Sequence, residues 1–186
     1  MEAIQLLTNR SSNSKLSDPE PDSETLRLAY EAAGRAPDHQ NLRPWRVYAV
    51  RGDARTALGE LLAGTVRRKQ PGATNEELDK VRRKALRAPL ILVVAAAVEP
   101  HPKVPAVEQV LAAGAAAHAI LLTLQARGYA GIWRTGDGAY DPEVKRAFGL
   151  REQDAIVGFI YVGTPKVPAG NSARPAPDSF VRDWNG

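Results

Sequence analysis

The sequence predicts an α+β domain in which helices outweigh a small sheet. Three observations carry this. LILVVAAAV (90–98) and AIVGFIYVG (155–163) are continuous apolar runs, the pattern of strands buried on both faces. A long helical stretch from about Pro105 to Gly128 is apolar almost all round in its middle, VLAAGAAAHAILLTL. Helix start and stop residues recur between these segments, and no internal repeat is visible. The reading is a single domain over 1–186, with about 164–186 as an extended arm.

In chain order, residues 2–9 predict a short helix ending near Arg10, and SSNSKLSDPEP predicts a loop broken by Pro19 and Pro21. Asp22 can cap a helix that runs to Ala33, with Gly34 as its stop; VYAV (47–50) reads as a strand. Gly52-Asp53 turns the chain, and Asp53 can cap a helix to about Ala63. Thr74 with Glu77 makes a capping box for a helix over 75–87, ended by Pro89. The long apolar helix is interrupted by His118 and is shorter in apolar length than the roughly 20 residues a bilayer needs, so it is expected to be a central buried helix or a subunit interface. GYAGIWRTGDG follows as a short extended piece between glycines, and Asp141-Pro142 supplies N-cap and first position of a helix ending at Gly149. The arm is rich in Pro, Gly, Asn and Ser but ends in Phe180, Val181 and Trp184. Such a segment is expected to lie on something, either its own body or a partner.

Composition excludes several classes. The chain is 44% hydrophobic and 25% charged, a soluble globular balance. It has no cysteine, so disulfides, thiol nucleophiles and thiolate metal sites are out, and a reducing, cytoplasmic location is expected. MEAIQLLTNRSS does not read as a signal peptide. The net charge is +4, with 18 arginines and 7 lysines, but the one basic cluster, VRRKQ and VRRKALR, interleaves with Glu76, Glu77 and Asp79. That reads as a solvated helix face, so neither nucleic acid nor membrane is an expected partner. No H-E-x-x-H, dinucleotide G-x-G-x-x-G, phosphate-loop or G-x-S-x-G pattern occurs, and no metal site is expected.

Three polar stretches remain. Asn9-Arg10-Ser11-Ser12 offers two hydroxyls and one forked cation, which suit a phosphate, or Arg10 simply faces the carbonyls of a helix end. GRAPDHQNLRPW (34–45) gathers Arg35, Asp38, His39, Asn41 and Arg43 between Pro37 and Pro44, as a ligand cradle or an ordinary polar loop. Gly131-Ile132-Trp133-Arg134-Thr135-Gly136 sets an aromatic, a cation and a hydroxyl between glycines, where backbone N–H groups can approach a flat ligand, or where the chain merely turns. His118 reads as a satisfied core or interface histidine and His101 as an exposed loop residue.

Together and in this order, these stretches resemble the FMN-dependent nitroreductases, in particular a small bacterial subgroup. The likeness runs from about Met1 to Phe180 through NRSS, GRAPDHQNLRPW, RAPLILVV, KVPAVEQ, GYAGIWRTG and REQDAIVGFIYVGTP. The resemblance implies an α+β sandwich with a small central mixed or antiparallel sheet flanked by helices. It implies an intertwined homodimer with exchanged C-terminal arms, and FMN at the interface with residues from both chains. Arg10 and Ser12, with Ser11 beside them, would take the phosphate or ribityl end. Arg35, His39 and Asn41 would meet the ribityl and pyrimidine side, and Trp133, Arg134, Thr135 and Gly136 would line the other side near the reactive ring edge. The chain departs from the family pattern at Ser11, where a second arginine is common, and at Asp38 and Arg43, where the wider family has serine and glutamine. Arg174 is the candidate for the late phosphate-gripping base. Asp38 and Arg43 are expected to form a local ion pair, and Trp45 to anchor the following strand.

The activity implied is a flavin oxidoreductase. NADH or NADPH would reduce FMN, and a nitroaromatic, quinone or similar small aromatic acceptor would reoxidise it in ping-pong fashion, with no protein nucleophile. A non-enzymatic FMN-binding protein, or a same-fold flavoenzyme with another reaction, is the alternative.

Overall fold

The computed structural model describes residues 2–168, 170 and 173–186. The chain begins with α1 (Ala3–Asn9), whose first N–H groups are capped by the Glu2 carboxylate. β1 (Leu16–Ser17), not anticipated from the loop-like sequence, precedes α2 (Ser23–Ala33), capped by Asp22 as expected. β2 (Trp45–Arg51) leads through Gly52 (φ 53°) into α3 (Ala54–Lys69). This helix outruns its expected end at Ala63, and Asp53 precedes it with helical φ/ψ and no side-chain capping bond. α4 (Asn75–Lys84) starts with both halves of the Thr74–Glu77 capping box and ends three residues before the expected Arg87.

β3 (Leu90–Ala96) is buried at every position. α5 (Ala106–Ala126) ends at Gly128, whose φ of 84° favours glycine. β4 (Ala130–Arg134), α6 (Asp137–Tyr140), α7 (Pro142–Ala147) and β5 (Ala155–Pro165) follow. α6 was not expected from the glycine-rich sequence. Asp141 caps α7 by accepting from the N–H groups of Glu143 and Val144.

The sheet runs β2–β3–β5–β4, every pairing antiparallel, with β1 adding to the last two residues of β5. β3 and β5 are the central strands, which is why their sequences are apolar without alternation. One face carries α2 and α5 around Leu92, Val94, Ile120, Leu124 and Ile160; the other carries α3, α4, α6 and α7 around Leu58, Ile91, Val93, Val144 and Phe159. At 21 residues α5 is long and apolar enough by length and composition to cross a membrane, beyond what its apolar run suggested. Yet Ala113, Ala116, Ala117, Ile120 and Leu124 are buried against the sheet and α2, the signature of a core helix.

α5 also leaves apolar side chains uncovered. Val107 and Leu111 (67% exposed) lie on it, and Ile4 and Leu7 lie on the neighbouring α1. In the arm, Phe180, Val181 and Trp184 (90% exposed) are exposed, and among the described residues none of them joins a core cluster.

Candidate functional site

The first predicted group is tied to the sheet by one buried residue. Asn13 donates its backbone N–H to Gly131 O of β4 (3.1 Å) and its Nδ2 to Val167 O beyond β5 (2.8 Å), and its Oδ1 accepts from Lys15 N (2.9 Å). Arg10, Ser11 and Ser12 are thereby held between α1 and the β4 edge. Arg174 joins them, its guanidinium donating to Arg10 O at 2.5 Å. Three stretches remote in sequence meet here, and the late base suggested by the sequence lies beside Arg10.

Strand alternation sorts the GIWRTG residues. The Trp133 indole points toward α5, donates Nε1–H to Val157 O (3.2 Å) and lies over Gly158, where any Cβ would collide with it. Its half-buried ring therefore also rests against the α5 layer of the core. Arg134, one position on, points to the opposite face. There, with Thr135 and Gly136, it borders a hollow of about 530 Å³ floored by Leu62, Val81, Phe159 and Tyr161. Gly136 has φ 116° and open space where a side chain would sit, so its backbone is accessible from the hollow.

The hollow is cationic. Lys84 at the end of α4 and Arg87 in the turn before β3 line it with Arg134, and an adjoining recess adds Ser14, Lys15 and Lys166. Among the described residues none of these five cations is paired with a carboxylate, while the one carboxylate on the rim, Asp137, is held by Lys69 at 2.5 Å. Burial pushes the Tyr161 phenol up, against the pull of Arg134 and Arg87, so it stays a neutral hydroxyl beside them. Lys84 and Arg87 were missed in the sequence because VRRKALR reads as a solvated helix end. The available signal was their position: the chain must pass from there directly into the buried β3, which pins them at the sheet.

The second predicted group sits elsewhere. The loop after α2 is held by Asp38, whose carboxylate accepts the backbone N–H of Arg43 at 2.6 Å. The expected Asp38–Arg43 ion pair is replaced by this side-chain-to-backbone bond, which secures a turn with Gln40, Asn41 and Arg43 at φ 63°, 55° and 50°. His39 Nδ1 lies 2.7 Å from Glu108 in the first turn of α5. Arg35, His39 and Asn41 are exposed, and Trp45 packs inward as expected. Gly131, beside Asn13, abuts Leu121, whereas His39 meets Glu108. Thirteen helical residues separate those contacts, roughly 20 Å along α5. One chain therefore holds the two groups toward opposite ends of its central helix.

Of the other histidines, His118 is exposed on α5, so in this chain it is not a core residue, and His101 is half-buried, its Nδ1 accepting from Lys103 N. Two motifs of the sequence prove architectural. Asp154 is buried and accepts from Val98 N, Arg151 N and the Arg151 guanidinium. Gln109, also buried, exchanges hydrogen bonds with the backbone of Glu99 and donates to Val104 O, closing the PHPKVP loop onto α5.

Comparison with known proteins identifies the family and the fold. Residues 7–164 match the model of the family described as "Nitroreductase family". The chain is 42% identical over 183 residues to the Escherichia coli protein named "Putative NAD(P)H nitroreductase YdjA", covering 97% of this chain and 98% of that one. Among solved structures, a nitroreductase-like family protein from Bacillus cereus superposes with a TM-score of 0.84 at 22% identity, covering 100% of this chain and 97% of the other. The FMN and NADPH-dependent nitroreductase NfnB from Sphigopyxis sp. strain HMH gives a TM-score of 0.76 at 19% identity, with 100% of each chain covered.

Proposed function

Because the chain belongs to the nitroreductase family, we propose that it is an FMN-dependent oxidoreductase that takes reducing equivalents from NADH or NADPH and passes them to small aromatic acceptors such as nitroaromatics or quinones. The observation that supports the reading is the cationic hollow bordered by the Arg134–Gly136 turn, with the segment that follows Ser12 tied to β4 through Asn13 and entering the adjoining recess at Ser14 and Lys15. The donor set fits FMN: hydroxyls and forked cations for a phosphate, a hollow in the size range of cofactor sites, an apolar floor, and an accessible glycine backbone at its rim. FMN, when bound, supplies the hydride-accepting ring for a ping-pong exchange between donor and acceptor.

The chain's own tasks are holding and charge balance. Arg10, Ser11, Ser12 and Arg174 would take the phosphate end, with Ser11 supplying a hydroxyl where relatives can carry a second cation. Arg134, Thr135 and Gly136 would border the ring, with Lys84 and Arg87 adding positive potential that favours an electron-rich ring. Arg35, His39 and Asn41, set apart in one chain, would reach the same cofactor from a second copy. The uncovered apolar residues of α1, α5 and the arm support that homodimer, with the arm lying on its partner.

The test is the visible spectrum of the purified protein, followed by anaerobic mixing with NADH and NADPH. A yellow protein bleached by either donor and recoloured by a nitroaromatic or quinone is expected. A colourless chain that cannot be reconstituted with FMN would refute the assignment, and a yellow chain that neither donor bleaches would leave only an FMN-binding protein.

A further inference from the structure

We propose that Glu108 is a positioning residue that decides which nitrogen of His39 meets the flavin. The inference rests on the reading above, in which His39 contacts FMN. Nδ1 of His39 lies 2.7 Å from Oε2 of Glu108. An ionised carboxylate has only lone pairs to offer, so Nδ1 carries the proton of this bond. In the neutral ring Nε2 is then an acceptor, and it is the one ring nitrogen left for a ligand. An acceptor suits the parts of FMN assigned to this loop, because ribityl hydroxyls and the imide N–H of the pyrimidine ring are donors.

Both ends of the bond are anchored by backbone. Glu108 is in the first turn of α5, so the helix fixes its backbone. Its neighbour Gln109 clamps that turn to Glu99 and Val104. His39 lies in the turn that Asp38 closes onto Arg43 N. The two side chains are about half exposed, and an ion pair of that kind adds little stability. Its consequence is orientation: a carboxylate on the far nitrogen fixes tautomer and ring direction, as it does for metal-bound and catalytic histidines.

The chain has three histidines, so imidazole ¹⁵N signals can be assigned by substituting each in turn. In the wild-type protein stripped of FMN, His39 is expected as the Nδ1–H tautomer. Glu108→Ala is expected to give mixed tautomers and about tenfold weaker FMN binding at unchanged melting temperature. Glu108→Gln, whose amide oxygen still accepts, is expected to keep both near wild type. In a His39→Ala background, Glu108→Ala is expected to add nothing. A wild-type Nε2–H tautomer, a Glu108→Ala protein with normal FMN affinity, or a Glu108→Gln protein as weak as Glu108→Ala would each overturn the proposal while leaving the flavin assignment standing. A wild-type chain that takes up no FMN would sink both.

Discussion

Asp154 shows how one carboxylate can secure the end of a sheet. It satisfies the N–H groups of Val98 and Arg151 and the Arg151 guanidinium, which also reaches Glu99 and Val98 O. Asp154→Ala would strand those donors, and a loss of about 3 kcal/mol in urea unfolding is expected. Burial pushes Asp154 up, but hydrogen bonds from Arg151 and Val98 outweigh it and hold the carboxyl below its ordinary range. At Asp141 burial is likewise outweighed, by Arg68, Thr65 and the capped N–H groups. Both carboxylates bind protons less readily folded than unfolded. Their stabilisation is thus complete above the unfolded value, about 3.9, and disappears as pH falls through the lower folded values. The urea midpoint should drop in that acidic window, and Asp154→Asn should shallow the drop; an identical pH profile in the variant would reject this assignment.

Elements carry the site by their ends. α4 delivers Lys84 to the hollow from a helix begun by the Thr74–Glu77 box. Thr74→Ala is expected to cost about 1 kcal/mol by urea unfolding and to weaken FMN binding less than Lys84→Ala does. β4 divides its labour by alternation: Trp133 fills the α5 layer through the space over Gly158, and Arg134 serves the hollow. Gly158→Ala should expel the indole, red-shift tryptophan fluorescence and destabilise by about 1–3 kcal/mol. Much of this was legible in the sequence. The capping residues and the two apolar runs announced their elements because caps and double burial are local patterns. The Arg10–Ser12 and Arg134–Gly136 stretches stood out as polar groups beside glycines and helix ends. What stayed hidden depended on tertiary placement: α6, the face Trp133 takes, the turn-closing bond of Asp38, and the convergence of Lys84 and Arg87 with Lys15 and Lys166. A basic helix end looks the same in sequence whether it faces water or a cofactor.

At the scale of the whole molecule, the proposed homodimer would cover the exposed apolar face of α5 and the arm. Leu111→Arg is expected to yield monomers by sedimentation and, with them, loss of FMN, because each site would keep only half its groups; a dimer that binds FMN normally would refute the interface. Truncation after Pro175 should weaken the dimer through loss of Phe180, Val181 and Trp184. The roughly 20 Å along α5 between the two groups has a genetic consequence. If every site draws Arg10 from one chain and Arg35 from the other, two inactive alleles can rescue each other. Co-expressed Arg10→Ala and Arg35→Ala chains would form mixed dimers carrying one wholly native site and one doubly defective site. With random pairing, about a quarter of all sites would regain wild-type function, although neither parent strain has any.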